Sequence, residues 1–347
     1  MTPSFDPDAA AAPGSGLFGL PHGPEEAAVW VQPVPFDATT SYRQGTARGP
    51  EAVLAASHQV DLFDLQTGRP YEQGIHLLPT DPRLVELQSE AGARAVGIHA
   101  AAGELGQDAA LAADLARVNS IGAELNAIVH AQTLDTLQRK KLPVVLGGDH
   151  SVPYGAIQAV SEQMPGLGIL HVDAHADLRE AYEGFVWSHA SIFHNVLTRL
   201  DNVGTLVQVG VRDLGEREHT RIRENAERIT TVFDTEWASA RLDGGNLRAL
   251  VREALARLPE AVYVSFDVDG LDPALCPNTG TPVPGGLTWH EAMLWLEELV
   301  RSGRRVVGLD LCEVSPGTEV DDPGASWDAA VGARLLYRLI GTALSTR

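Results

Sequence analysis

Leu167 to Asp177 reads LGILHVDAHAD, and this single stretch joins a strand to a cluster of acidic and imidazole side chains. Its first six residues are apolar apart from His171, with no alternation of polar and apolar positions. A strand that is apolar on both faces is covered on both faces, as in a parallel sheet flanked by helices. Similar runs occur at Ala28 to Val34, Gly74 to Leu78, Leu142 to Leu146, Leu206 to Val211, Ile229 to Phe233, Ala261 to Phe266 and Arg305 to Leu311. Between them, Leu111 to Lys140, Leu247 to Leu258, Trp289 to Ser302 and Trp327 to Thr346 carry helical spacing. The alternation predicts an α/β fold: three layers, α/β/α, around a mostly parallel sheet of roughly eight strands, with the site beyond the carboxyl ends of the strands.

Residues 1 to 26 are rich in Ala, Pro and Gly without periodicity, so they read as a mobile arm ahead of a single domain spanning 27 to 347. Pro79 to Leu105 is the least regular part of that domain and reads as an excursion within it. With 46 acidic against 26 basic residues the formal charge is -20, which argues against nucleic acid or an anionic membrane as partner and mildly favours cationic ligands. Solubility explains the same charge more simply. Cys276 and Cys312, far apart and each in an apolar or Pro-rich setting, offer neither a disulfide framework nor a thiolate zinc site. No leader pattern opens the chain and no run approaches the roughly 18 apolar residues of a membrane span, so a cytoplasmic protein is expected.

Three of the apolar runs end in the same chemistry. Leu142 to Leu146 leads into Gly147, Gly148, Asp149, His150 and Ser151; the opening stretch leads into Asp173, His175 and Asp177; and Ala261 to Phe266 leads into Asp267, Asp269 and Asp272. In extended chain alternate residues share a face, which places Asp173, His175 and Asp177 together and Asp267 with Asp269. An aspartate at such a place ordinarily caps a helix or tightens a turn. Several gathered at the ends of buried strands instead lose hydration and repel, at a cost of several kcal/mol per ion unless cations compensate. A phosphate-cradling loop at Gly147 and Gly148 is the weaker alternative, because no Lys-Ser/Thr follows and the local charge is negative.

Four carboxylates and two imidazoles, without a thiolate, suit Mn²⁺, with Fe, Co or Ni as substitutes and zinc a poorer match. They exceed what one ion with an open water position would use. A pair of ions is therefore expected, bridged by carboxylates such as Asp173 and Asp267 at a separation of roughly 3.5 Å.

GGDHS, DAHAD and SFDVDGLDP together resemble the metal-binding signatures of the ureohydrolase family of arginase, agmatinase, guanidinobutyrase and formiminoglutamase. Val34 to Val53 and Gly280 to Thr288 are similar to agmatinase segments, and Leu309 to Pro316 resembles the stretch that carries the family's guanidinium-binding acid. The resemblance implies an arginase-like fold with two Mn²⁺ per chain: one on His150, Asp173, Asp177 and Asp267, the other on His175, Asp173, Asp267 and Asp269. It also implies His189 as proton shuttle, Glu313 as the acid that grips the guanidinium, and a homotrimer or homohexamer. The histidine motif His-Gly-Thr-x-Phe of agmatinases is His189, Ala190, Ser191, Ile192, Phe193 here, with two positions changed. His171 is expected to pack or to support a ligand, and Asp149 and Asp310 to orient neighbours.

The reaction so implied is attack of a hydroxide, formed from water between the ions, on a guanidino carbon, with Asp269 hydrogen-bonding the tetrahedral species and urea and an amine as products. Four carboxylates and a hydroxide against two dications leave about one negative charge, a field that suits a small cationic guanidino substrate. Agmatine is favoured narrowly over arginine, then guanidino acids, then formiminoglutamate. Asp213 and Glu216 in GVRDLGE are similar to the residues that meet the α-amino group of arginine in arginases. Two rivals stand beside this reading: a non-catalytic metal-binding regulatory subunit, and a deacetylase-like amidohydrolase with a single zinc.

Overall fold

A computed structural model of the chain describes residues 5–12, 14–317 and 322–347. The eight apolar runs form strands β1 (Val29–Val34), β2 (Ile75–Leu77), β3 (Leu142–Gly147), β4 (Leu167–Val172), β5 (Val203–Val209), β6 (Ile229–Val232), β7 (Ala261–Asp267) and β8 (Arg305–Cys312). They make one sheet in the order β2-β1-β3-β8-β7-β4-β5-β6, and every neighbouring pair is parallel. β1, β3 and β4 are buried along their whole length, as uninterrupted apolar runs require.

Helices cover both faces. α1 (Gly49–Ser57), α8 (Leu247–Leu255), α9 (Trp289–Arg301) and α10 (Trp327–Leu344) share one core with the sheet. On the other side lie α2 (Pro82–Ala100), α3 (Ala109–Gln138), α4 (Tyr154–Gln163) and α5 (Ile192–Arg199). The short α6 (Glu216–Glu224) and α7 (Asp234–Leu242) flank β6 in sequence. Capping residues set the starts: Asp108 accepts from the Ala110 and Leu111 amides before α3, and Thr288 with Glu291 closes a reciprocal box on α9.

Register decides where the site falls. Val172 pairs with Phe266, Asp267 with Cys312 and Leu146 with Leu311. The residues that follow β3, β4, β7 and β8, four adjacent strands at the centre of the sheet, therefore emerge side by side at its carboxyl edge.

Two expectations are corrected. Pro79 to Leu105 is not an irregular excursion: nineteen of its residues form α2, started by Asp81 as N-cap and Pro82 in the first turn, with Leu84, Leu87, Ala91, Ala95 and Ile98 facing the core. The presumed arm is docked in its second half, where Leu17, Phe18 and Leu20 are buried, Phe18 against the Tyr337 ring and its amide on the Ser57 hydroxyl. Three large apolar side chains give that short stretch enough buried area to offset the entropy of ordering it.

Candidate metal centre and active site

The sheet edge brings together the six side chains expected as metal ligands, His150, Asp173, His175, Asp177, Asp267 and Asp269. His150 Nδ1 lies 2.9 Å from Asp173 Oδ2, 3.1 Å from Asp177 Oδ2 and 3.5 Å from Asp267 Oδ2. His175 Nδ1 lies 3.3 Å from Asp173 Oδ1 and 3.1 Å from Asp269 Oδ2. Asp173 thus faces both histidines, one through each oxygen. Backbone amides fix the remaining carboxylate oxygens: His175 N donates to Asp173 Oδ1 (2.6 Å), Asp269 N to Asp267 Oδ1 (2.8 Å) and Ala174 N to Asp269 Oδ1 (3.0 Å).

Local backbone chemistry explains how the loops hold these positions. Gly148 is obligatory, because a Cβ there would lie 2.1 Å from the Phe36 carbonyl oxygen. Asp177 and Glu313 both sit at positive φ, 55° and 64°, a strained region for side chains with a Cβ and one that functional positions retain. Glu313 is buried just past β8; its amide donates to Gly148 O (2.8 Å) and its Oε1 accepts from the His150 amide (3.0 Å), while Oε2 has no partner. Asp177 Oδ2 also lacks a hydrogen bond. As expected, Asp149 and Asp310 serve neighbours: Asp149 accepts from the Thr39 hydroxyl and the Ser151 amide, and Asp310 from the Phe266 amide.

The electrostatics call for cations. Burial, reinforced by Asp173, pushes Asp177 well above the usual carboxylate range, and burial with Asp269 and Asp173 does the same to Asp267. Glu313 is raised by burial and by Asp149 and Asp269. Burial would lower His150 and His175, yet the carboxylates around them raise both well above the ordinary imidazole value. No lysine or arginine forms an ion pair with these carboxylates among the described residues. Oxygen and imidazole donors with open lone pairs, converging without a compensating charge, fit divalent metal ions.

The cluster opens into a cavity of ≈240 Å³ lined by His175, Asp177, His189, Asp213, Glu218 and Thr281, among others. His189 sits on a single 3₁₀ turn held by the Ser188 hydroxyl, and its amide donates to the Thr39 hydroxyl (3.3 Å). Desolvation and the neighbouring His175 push its imidazole below the ordinary value. Of the pair Asp213 and Glu216, only Asp213 lines the cavity. Glu216 is exposed at the start of α6, and Glu218 takes the place in the wall, accepting from the Leu178 and Gly215 amides. Arg212 was invisible to sequence reasoning. It donates to the carbonyls of Gly210, Asp269, Leu271 and Val283 and so stitches the loop that carries Asp269.

A parallel α/β sheet here gathers carboxylates and imidazoles at its carboxyl edge, where such sheets place their active sites, in a donor set that could hold metal ions. Residues 27–341 match the model of the arginase family, and the chain belongs to that family. It is 35% identical to the N(1)-aminopropylagmatine ureohydrolase of Thermus thermophilus over 94% of each protein, and 30% identical to the agmatinase of Pyrococcus horikoshii over 89% of each. The agmatine ureohydrolase structure of Thermoplasma volcanium superposes with a TM-score of 0.69 at 23% identity, covering 95% of this chain and 94% of that one, a likeness of fold. The protein is a hydrolase of the ureohydrolase type acting on guanidino compounds, and the sheet is the arginase-like one expected. No described helix is long and apolar enough to cross a membrane.

Proposed function

We propose that this protein hydrolyses the terminal guanidino group of agmatine, or of agmatine carrying an N1-aminopropyl extension, to urea and an amine, with two Mn²⁺ ions per chain. One observation carries the reading: four buried carboxylates and two imidazoles converge with no arginine or lysine to balance them. His150, Asp173, Asp177 and Asp267 would hold one ion, and His175, Asp173, Asp267 and Asp269 the other. When bound, such ions supply Lewis acidity and a water that ionises near neutral pH.

The chain's own groups do the rest. Glu313 Oε2, buried and unpartnered, accepts from the planar guanidinium and orients its carbon. Asp269 accepts a hydrogen bond from the tetrahedral species as the C–N bond weakens. His189, on the cavity wall, takes a proton from the solvent side and passes it to the departing amine. Asp213, an exposed carboxylate on the same wall with no hydrogen bond from its side chain among the described residues, meets the distal ammonium of an agmatine tail. The names of the two relatives, an N(1)-aminopropylagmatine ureohydrolase and an agmatinase, support a cationic tail.

The test is to load the chain with MnCl₂ and assay urea, or formamide, from agmatine, N1-aminopropylagmatine, arginine, 4-guanidinobutyrate, 3-guanidinopropionate and formiminoglutamate. Urea from the first two at higher kcat/KM than from the others is expected. Metal uptake without product from any of them would leave the protein a metal-binding subunit. The homotrimer or homohexamer that the family resemblance implies is read in the same preparation by sedimentation.

A further inference from the structure

His171 lies inside β4, fully buried, two residues before Asp173. Its Nε2 is 2.8 Å from Asp173 Oδ2 and its Nδ1 is 2.9 Å from Gln208 Nε2, on the neighbouring β5. Which nitrogen carries the hydrogen follows from Gln208. That amide nitrogen also reaches the Ala176 carbonyl at 2.8 Å, an atom that only accepts, so it must be the NH₂ end. The opposite end, Oε1, accepts from the Thr231 hydroxyl at 3.1 Å on β6. With an NH₂ donating to it, His171 Nδ1 is the acceptor, and the ring hydrogen stands on Nε2, pointing at Asp173.

The consequence falls on Asp173. Its Oδ2 receives the His171 hydrogen and its Oδ1 receives the His175 amide hydrogen at 2.6 Å. The other side of each oxygen faces a candidate ligand nitrogen, His150 Nδ1 at 2.9 Å from Oδ2 and His175 Nδ1 at 3.3 Å from Oδ1, the direction that a metal held by that nitrogen would take. A carboxylate so placed can serve one cation through each oxygen. We infer that Gln208 is a positioning residue which fixes the Nε2–H tautomer of His171 and thereby sets the orientation in which Asp173 can bridge two metal ions. Gln208 is fully buried, and its second bond, to the carbonyl between His175 and Asp177, ties the same amide to the turn that carries two further candidate ligands. The Phe193 ring, 4.1 Å centroid to centroid from His171, closes the remaining side of the imidazole.

This inference rests on the two-ion reading of the cluster, but its first readout needs neither metal nor substrate. In the full chain without added metal, nitrogen-15 spectra of the histidine rings should show His171 with Nε2 protonated and Nδ1 bare. The reverse pattern overturns the inference. Manganese titration by calorimetry supplies the second readout: Gln208→Met and His171→Phe should each lose about 10–100-fold in affinity, the usual cost of removing a residue that orients a metal ligand. His171→Gln, which keeps a donor aimed at Asp173, should stay within about fivefold of the unaltered chain. Should His171→Phe keep the unaltered affinity, the ring merely fills space; should His171→Gln lose as much as His171→Phe, a donor at that place is not what matters; either result ends the inference. Failure of the unaltered chain to bind manganese would sink the two-ion reading itself, and bridging with it, whereas urea from arginine alone would change the proposed substrate and leave the tautomer result standing.

Discussion

Two buried groups of acids in this molecule are treated in opposite ways. On the face made by α8 and α9, Glu298 is almost inaccessible, yet three guanidinium groups, those of Arg248, Arg252 and Arg301, close on it. Burial pushes the Glu298 carboxyl up, but Arg252, Arg301 and Arg248 hold it down at about 2. At the carboxyl edge of the sheet, Asp173, Asp177, Asp267, Asp269 and Glu313 are equally buried and meet histidines, backbone amides, the Thr281 hydroxyl and one another, with no arginine or lysine paired to them among the described residues. The first group is complete within the chain. The second carries charge that no basic side chain of the chain balances, and that difference separates a structural ion pair from a candidate site.

The comparison breaks most completely at Asp267. Asp267→Ala should abolish urea release and the binding of both manganese ions, measured by metal analysis of the purified variant; retention of two ions would remove it from the ligand set. Glu313→Gln should keep both ions while turnover falls about 10²–10³-fold, the scale of losing one polar group that meets the reacting centre. Equal metal loss in the two variants would mean that Glu313 is itself a ligand. Next comes stability: manganese at 100 times its Kd should add about 2.7 kcal/mol to the unaltered chain in a denaturation curve and nothing to Asp267→Ala.

On the compensated side the effects are smaller. Glu298→Gln should bind metal normally and lower Tm by about 2–4 °C, because its partly exposed arginines regain water. Its pH dependence has a definite sign. A carboxyl held below its unfolded value contributes stability above pH ~4.5, and that contribution is lost as pH falls towards 2. The stability gap between the unaltered chain and Glu298→Gln should therefore be full at pH 5 and shrink over that window. A constant gap would show that the arginines do not set the Glu298 titration.

Legibility followed the strength of the local signal. Strands such as Leu167–Val172 were readable because burial on both faces writes a continuous apolar run, and Asp-x-His-x-Asp was readable because its chemistry is adjacent in sequence. α2 was missed because Ala91 and Ala95 occupy two of its inward positions, so the amphipathic signal is faint even though Asp81 and Pro82 mark its start. Leu17, Phe18 and Leu20 were masked by surrounding Ala, Pro and Gly. The histidine at 171 announced support for a ligand, but its partner Gln208 lies 37 positions away on another strand. Glu218 was displaced in the reading by Glu216, two residues earlier, since the sequence does not reveal which side of α6 turns inward.

β8 enters the sheet between β3 and β7, and it is made from residues 305–312, near the end of the chain. During synthesis, every earlier piece can emerge while the middle of the sheet still lacks its keystone, and the acid at 313 has not yet arrived. The centre of the sheet therefore closes only once residues 305–312 have been made, and β3 and β7, with the side chains that follow them, reach their final places on either side of it no earlier.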